Sequence, residues 1–349
     1  MRILIATAQV PFMRGGAEAH AEGLRDALRA EGHEAEIARI PFKWYPPEKI
    51  LDHMLACRLL DLTESAGTPV DLLIGLKFPA YLIEHPNKVL WILHQYRTAY
   101  ELWDHPLSDL IHWPNGAEIR DAIRQADRQI LPEAKLIFAN SGNVARRLKE
   151  FCEIDSTPLY HPPPHAEKFY CEAAGDYLFF PSRVNRLKRQ SLVLEALRLT
   201  RGPVRVRFAG GAGEPAPFTD ELKALARRLK VDERVEWLGE VTEDEKRRLY
   251  AHALGVIYPP LDEDYGYVTL EAMLSSKPLI TCVDSGGPLE FVRDEETGLV
   301  TAPQPEALAT AMDKLWTERE RARSLGERGR AVYEQMGITW PNVVRKLLS

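Results

Sequence analysis

Short apolar runs recur along the chain and alternate with segments of helical pattern. In the first half the runs occupy residues 2–6, 71–76, 88–94 and 135–141, and helical patterns occupy residues 17–30 and 144–151. In the second half the runs occupy residues 176–182, 205–211, 234–239, 254–260 and 278–284. Runs that are apolar on both faces are typical of parallel strands in a sheet covered on both sides. The pattern therefore predicts an α/β fold with parallel sheets covered by helices.

A proline cluster interrupts this alternation. Residues 161–165 read HPPPH and are followed by a polar, irregular stretch. Because 349 residues exceed what one core usually holds, we predict two tandem doubly wound domains, residues 1–165 and 166–330, with a ligand bound in a central cleft. A helical pattern at 340–348, within the remaining segment 331–349, is predicted to pack back on the first domain. His161 and His165 are interpreted as linker residues and not as ligands.

Composition argues against several classes of protein. The chain has 45 basic and 51 acidic residues and a formal net charge of -6, which does not favour nucleic-acid binding. Its four cysteines have no paired spacing, so neither a zinc knuckle nor a disulfide framework is predicted. The apolar run at the N-terminus is too short for a signal peptide or a membrane span. We expect a cytoplasmic protein, and the basic residues within 145–150 leave a peripheral membrane contact open.

The segment DEDYGYVTLEAM, residues 262–273, combines carboxylates with a glycine before an apolar helix. Glu263 follows the run 254–260, and Glu271 lies about one turn inside the helix, so both carboxylates can face one pocket. Gly266 lets the backbone approach a ligand closely. The amide groups of Gly266, Tyr267 and Val268, at the positive end of the helix dipole, favour a phosphate. Carboxylates beside an anion site suit the hydroxyl groups of a sugar or a ribose.

Two other interpretations of this segment stay open. Residues 262–264 can be a solvated acidic loop, with Glu271 an ordinary glutamate in the first turn of a helix. The same three residues also form an Asp-x-Asp pattern, which some nucleotide-sugar enzymes use to hold a divalent cation.

A cationic cluster follows the first apolar run of the second domain. The stretch PSRVNRLKRQ contains Arg183, Arg186, Lys188 and Arg189. Cations at the carboxyl end of a strand can hold a diphosphate, and each charge-assisted hydrogen bond contributes about 1.5–3 kcal/mol. A solvated helix face is the alternative for these side chains.

Weaker candidates follow other runs. Gly15 and Gly16 lie in the loop after the first run, although without the spacing of a dinucleotide fingerprint, and a plain turn explains them equally well. His94 ends the run 88–94, where a histidine is often structural. Trp237 and Leu238 end the run 234–239, and they can simply be core residues of a strand.

These motifs together resemble the family 4 retaining glycosyltransferases, which have the GT-B fold of two Rossmann-like domains. Glu263 and Glu271 have the family spacing, with seven residues between them, and SGGPLE follows in the family order. The family usually has Phe where this chain has Tyr265. Arg183 and Lys188 match the arginine and lysine, five residues apart, that clamp the donor diphosphate. Arg186 and Arg189 have no such match, which leaves them as residues of a solvated helix face.

The resemblance implies transfer of a sugar from a nucleotide-diphosphate donor to an unidentified acceptor hydroxyl, with retention and without a metal or other cofactor. It implies catalytic roles for Glu263, His94, Arg183 and Lys188. It implies a ribose contact for Glu271. The donor would also contact Gly15, Gly16, Trp237, Leu238, Gly266, Tyr267 and Val268. A nucleotide-sugar epimerase on the same frame and a non-enzymatic binding protein are the alternatives.

Overall fold

The computed structural model describes residues 1–211 and 217–349, and the chain divides into two compact units. The first unit contains Met1–Pro164 and Thr339–Ser349, and the second contains His165–Ile338. The prediction of two tandem parallel α/β domains is confirmed. Residues 331–338 remain with the second unit, because its last helix continues to Gln335 and is followed by Gly337 in the left-handed conformation.

The first unit is built on a six-stranded parallel sheet and a small separate hairpin. Its strands are β1 (Arg2–Gln9), β2 (Glu34–Pro41), β3 (Glu64–Ser65), β4 (Thr68–Pro69), β5 (Leu72–Gly75), β6 (Lys88–Ile92), β7 (Leu136–Ala139) and β8 (Thr157–Pro158). Its first helices are α1 (Gly16–Ala30), α2 (Glu48–Leu59), α3 (Gly116–Ile130) and α4 (Gly142–Cys152). The sheet order is β2-β1-β5-β6-β7-β8, and β3 pairs with β4 alone. The strand order therefore reverses between β1 and β5.

Both faces of this sheet are buried, as the apolar runs predict. Successive residues of β6 enter opposite clusters: Leu90 and Ile92 belong to one, whereas Val89 and Trp91 belong to the other. This alternation follows from the two-residue period of a strand. Layers of helix on each face account for the predominance of apolar residues on both faces of the runs.

The second unit is a six-stranded parallel sheet with the strand order of a dinucleotide-binding fold. Its strands are β9 (Leu178–Pro181), β10 (Val206–Ala209), β11 (Val235–Gly239), β12 (Gly255–Ile257), β13 (Leu279–Cys282) and β14 (Gly298–Thr301). Its helices are α5 (Gln190–Leu199), α6 (Pro217–Arg228), α7 (Glu243–His252), α8 (Tyr267–Leu274), α9 (Pro305–Thr317) and α10 (Arg319–Gln335). The order β11-β10-β9-β12-β13-β14 reverses between β9 and β12. Such a reversal opens a crevice at the carboxyl ends of the two strands.

The last helix, α11 (Trp340–Leu347), belongs to the first unit. Val343 and Leu347 share a buried cluster with Leu24 of α1. Close approach of the two helices requires Gly23, since a Cβ atom there would lie 2.5 Å from Cζ2 of Trp340.

His161 is a core residue, so its interpretation as a linker residue is wrong. It is buried, and its ring centroid lies 4.1 Å from that of His20 and 5.2 Å from that of Trp91. Burial lowers the pKa of His20 to about 3 and also lowers the pKa of His161. The three prolines that follow favour a linker, but His161 itself still lies in the core of the first unit.

Candidate functional site

The loops that follow β9 and β12 meet where the strand order of the second sheet reverses. Nζ of Lys188 lies 2.5 Å from Oε2 of Glu263 and 2.9 Å from the hydroxyl oxygen of Tyr258. The backbone N–H of Leu261 donates to the carbonyl oxygen of Leu187 at 2.7 Å. The structure thus brings together Lys188 and Glu263, which are separated by 75 residues, at the position where such sheets bind ligands.

Local hydrogen bonds shape the loop after β9. The side chain of Asn185 accepts from the N–H of Leu187 at 2.9 Å and so begins a single 3-10 turn that contains Lys188. Nε2 of Gln190 donates to the carbonyl oxygen of Arg183 at 2.9 Å. The side chain of Arg183 is exposed, close enough to Tyr258 that its charge lowers the pKa of that phenol. Burial and the charge of Glu263 nevertheless raise the pKa of Tyr258.

The glycine between two tyrosines begins α8. Gly266 has a φ of +83° and precedes the first helical residue, Tyr267. This left-handed conformation favours glycine and turns the chain from the acidic loop into the helix. The loop also packs closely on the turn after β13, since a Cβ atom on Gly287 would lie 2.7 Å from the carbonyl oxygen of Tyr265. Val268 is buried in the first turn of α8.

Glu271 is buried and is held by two residues of α7. Its Oε1 lies 3.0 Å from Nζ of Lys246, and its Oε2 lies 2.8 Å from the hydroxyl oxygen of Tyr250. Burial lowers the pKa of Lys246, but the nearby carboxylates of Glu271 and Glu243 outweigh this and raise it. Neither Lys246 nor Tyr250 was predicted from the sequence as a site residue. Their only sequence signal is the spacing of four residues, which places them on one face of a helix.

Arg189 is not part of a solvated helix face, so that interpretation is wrong. Its guanidinium forms two contacts with the Asp284 carboxylate, at 2.8 and 2.6 Å, and the side chain is only 19% exposed. Arg186 is exposed, pairs with Glu221 at 3.0 Å and lies over the ring of Phe218.

Trp237 and Leu238 lie on the edge strand β11, and β10 separates this strand from β9. The ring of Trp237 stacks on Phe208, with centroids 4.6 Å apart and an interplanar angle of 14°. Leu238 is half-buried. Trp237 is also half-buried, so its stacking on Phe208 fits a residue of an edge strand. The predicted nucleobase contact of these two residues stays a prediction.

The first-unit candidates lie at the carboxyl edge of the first sheet. Gly15 precedes α1, and Gly16 is its first residue, so both follow β1. His94 follows β6, is half-buried, and its Nδ1 lies 2.7 Å from the carbonyl oxygen of Gln95. Lys77, after β5, has its Nζ 3.4 Å from Oε1 of Glu18. The Lys77–Glu18 pair, which the sequence analysis missed, marks the reversal of strand order in this sheet.

A buried carboxylate anchors the segment that follows His94. Asp127 of α3 accepts hydrogen bonds from Gln95 at 3.2 Å, Tyr100 at 2.7 Å and Tyr81 at 2.9 Å. Burial raises the pKa of Asp127 to about 6, although these three donors lower it. The loops after β5 and β6 are therefore tied to one side chain.

Two expectations about partners can be compared with the structure. Within residues 1–211 and 217–349, no cluster of three or more His, Cys, Asp or Glu side chains is arranged to hold a metal ion. No helix of the described chain has the length and apolarity that crossing a bilayer requires. In the basic segment 145–150, Arg147 is buried and lies 3.2 Å from Glu101, so it is not presented to a membrane surface.

The second unit matches a known family. Residues 172–332 match the sequence profile of the family described as Glycosyl transferases group 1. A D-inositol 3-phosphate glycosyltransferase of Nocardia farcinica is 30% identical over 243 residues, which cover 64% of this chain and 53% of the relative. The Homo sapiens alpha-1,3/1,6-mannosyltransferase ALG2 is 32% identical over 162 residues, which cover 43% of this chain and 39% of the relative. The chain thus spans about half or less of the length of these curated relatives.

Solved structures extend the likeness to the whole chain. A sucrose-phosphate synthase from Thermosynechococcus elongatus has a TM-score of 0.81 at 17% identity, covering 99% of this chain and 97% of the other. Anabaena HepE, in a complex with UDP and glucose, has a TM-score of 0.72 at 16% identity, covering 100% and 98%. At these identities the likeness shows the fold alone, which is the predicted GT-B fold.

Proposed function

We propose that this chain, whose residues 172–332 match the glycosyl transferases group 1 family, transfers a sugar from a nucleotide-diphosphate donor to an acceptor hydroxyl with retention of configuration. The observation that carries the proposal is the meeting of Lys188 and Glu263 where the second sheet reverses its strand order. A cation and a carboxylate at that position suit a diphosphate joined to a sugar. The UDP and glucose bound to Anabaena HepE support the donor class.

Stabilisation of the leaving diphosphate is the main catalytic contribution in this proposal. Arg183 and Lys188 neutralise the charge that develops as the bond to the sugar breaks, each contributing about 1.5–3 kcal/mol. The N-terminal amides of α8, at Tyr267 and Val268, add oriented dipoles of the same sign. Lys188 is held by Glu263 and Tyr258, and the amides are held by the helix, so these groups need little reorganisation to stabilise the transition state.

Lys188 can hold a phosphate oxygen without releasing Glu263. An ammonium group has three N–H donors, and Glu263 and Tyr258 engage two of them. A phosphate oxygen takes the third. In this proposal Glu263 accepts hydrogen bonds from the hydroxyls of the donor sugar, and Glu271 accepts from the ribose.

Retention without a protein nucleophile requires the acceptor oxygen to bond to the anomeric carbon on the face from which the diphosphate departs, because attack from the opposite face would invert the configuration. An oxygen of the donor phosphate accepts the proton of the acceptor hydroxyl on the face from which the leaving group departs. This route uses neither a metal ion nor another cofactor. In this proposal His94 contacts the donor sugar, and the backbone at Gly15 and Gly16 contacts the phosphate and the acceptor.

A nucleotide-release screen tests the proposal. UDP-, GDP- and ADP-linked sugars are incubated with and without saccharide, lipid-linked and small-molecule acceptors, and the anomeric configuration of the product is determined by proton NMR. We expect nucleotide release that an acceptor stimulates and a product with the configuration of the donor. An inverted product, or conversion of the donor alone to an epimer, would contradict retaining transfer.

A further inference from the structure

Two side chains of α7 determine where the Glu271 carboxylate lies. We propose that Lys246 and Tyr250 are positioning residues that hold and orient this carboxylate, so that it accepts one hydrogen bond on each oxygen from vicinal hydroxyls of a ribose. The inference rests on the proposed function, since Glu271 must be the ribose contact for its orientation to matter. It assigns a role to α7, a helix that contains none of the predicted site residues.

The Glu271 carboxylate has hydrogen-bond acceptor positions beside those that Lys246 and Tyr250 occupy. An ionised carboxylate offers about four lone-pair positions, two on each oxygen. Lys246 occupies one position on Oε1 at 3.0 Å, and Tyr250 occupies one on Oε2 at 2.8 Å. One position therefore remains on each oxygen of Glu271. Two acceptor positions on adjacent oxygens suit a pair of neighbouring hydroxyls, as a ribose presents.

The buried carboxylate of Glu271 is paired with a cation. The Glu271 side chain is only 6% exposed, and burying a carboxylate without a cation beside it costs free energy. Lys246 supplies the compensating charge, and its ammonium is shared with the more exposed Glu243, also at 3.0 Å.

Packing fixes the position of the Tyr250 hydroxyl. The residue is fully buried, and its ring makes edge contacts with Phe169 and Phe179, with centroids 5.8 and 5.0 Å away. Phe179 belongs to β9. The orientation of Glu271 is thus set by the strand whose carboxyl end leads to Lys188.

If Lys246 and Tyr250 only stabilised the fold, their substitution would not change the preference for ribose over deoxyribose. This preference is therefore the quantity to measure. Titration calorimetry would measure the binding of UDP and GDP and of their 2′-deoxy counterparts to the whole protein. In the wild type we expect the better-bound nucleotide to bind about tenfold more tightly than its 2′-deoxy form. Tyr250→Phe and Lys246→Met should each reduce this ratio to near unity, while Lys246→Arg should retain part of it.

Matched controls remove similar groups from the same neighbourhood. Tyr177→Phe deletes a buried hydroxyl that donates to the carbonyl oxygen of Leu249 in α7 at 2.8 Å, and Arg248→Met deletes an exposed cation of α7. Both should keep the wild-type ratio. In a Glu271→Gln background, Tyr250→Phe should have little further effect, because the two residues act through one carboxylate.

The outcomes separate this inference from the proposed function. If neither UDP nor GDP binds, ADP and its 2′-deoxy form are titrated in the same way. Failure of all three to bind, or a ratio that Glu271→Gln leaves unchanged, overturns the proposed ribose contact. If Glu271→Gln abolishes discrimination but Tyr250→Phe and Lys246→Met both keep it, only the positioning role is overturned. Circular dichroism and urea unfolding identify any variant that fails to fold, and the other variant then decides.

Discussion

Arg189 and Asp284 join the loops after β9 and β13, across the intervening strand β12, through two contacts of 2.8 and 2.6 Å. Arg189 directly follows Lys188, and the carbonyl oxygen of Asp284 accepts from the N–H of Asp262 at 2.9 Å. The ion pair therefore connects the loop that carries the predicted phosphate contacts with the acidic loop that carries Glu263.

A double-mutant cycle on Arg189→Gln and Asp284→Asn should give a coupling of about 1–2 kcal/mol in the free energy of unfolding, since the pair is bidentate and partly buried. Urea unfolding of the four proteins measures it. The same cycle on Arg146 and Glu150, whose side chains are 58% and 53% exposed, should give less than about 0.5 kcal/mol. Equal couplings would show that Arg189 and Asp284 form only a surface pair.

Arg183→Met should lower kcat/KM for the donor about 100-fold, because loss of one cation at the leaving group removes about 2–3 kcal/mol of transition-state stabilisation. Arg186→Met is the matched control, an exposed cation three residues later that pairs with Glu221. It should change kcat/KM less than about twofold. Steady-state kinetics that gave equal losses for both variants would contradict the assignment of Arg183.

Asp127→Asn should remove a pH dependence of stability. The folded pKa of Asp127, raised by burial to about 6, lies above its ordinary value of 3.8. The folded state thus binds the proton more tightly, so this contribution is full below pH 3.8 and is lost as the pH rises through 6. The difference corresponds to on the order of 3 kcal/mol. Urea unfolding at about pH 4.5 and about pH 7.5 should show the wild type losing stability relative to the variant. A constant difference would rule this out.

Gly23→Ala tests the packing of α11 on α1. Helix propensity alone predicts that alanine stabilises the helix by about 1 kcal/mol. The Cβ atom would lie 2.5 Å from Trp340, however, so we expect destabilisation by about 1–3 kcal/mol. Gly329→Ala in α10 is the control, because its nearest neighbours would lie 3.6–3.8 Å away, and it should not destabilise. Stabilisation by both changes would refute the close contact.

The sequence predicts the fold where residue type and burial agree. The run 88–94 is apolar because β6 faces buried clusters on both sides, and the helix after Gly266 begins where the glycine indicates. Strand β2 was not predicted. It is an edge strand with exposed charged positions, so its composition resembles that of a loop. The existence of the two domains therefore follows from the sequence, as does the edge strand β11, whereas the edge strand β2 does not.

Contacts between distant segments could not be predicted. The burial of His161 depends on His20 and Trp91, which lie far away in the sequence, and the local prolines suggest a linker instead. The partners of Glu271 lie on α7, and only the packing of that helix against α8 reveals them. The motif spacing identifies Glu271 as a candidate site residue, but it does not predict that Lys246 and Tyr250 contact its carboxylate.

A crystal structure with bound nucleoside diphosphate would show directly where the second unit holds the donor. Crystals would be grown with UDP and separately with GDP. We predict a diphosphate within hydrogen-bonding distance of Arg183 and Lys188, at the carboxyl ends of β9 and β12, and a ribose whose hydroxyls contact Glu271. A nucleotide bound away from these ends, with Lys188 and Glu271 making no contact to it, would contradict the proposed donor site.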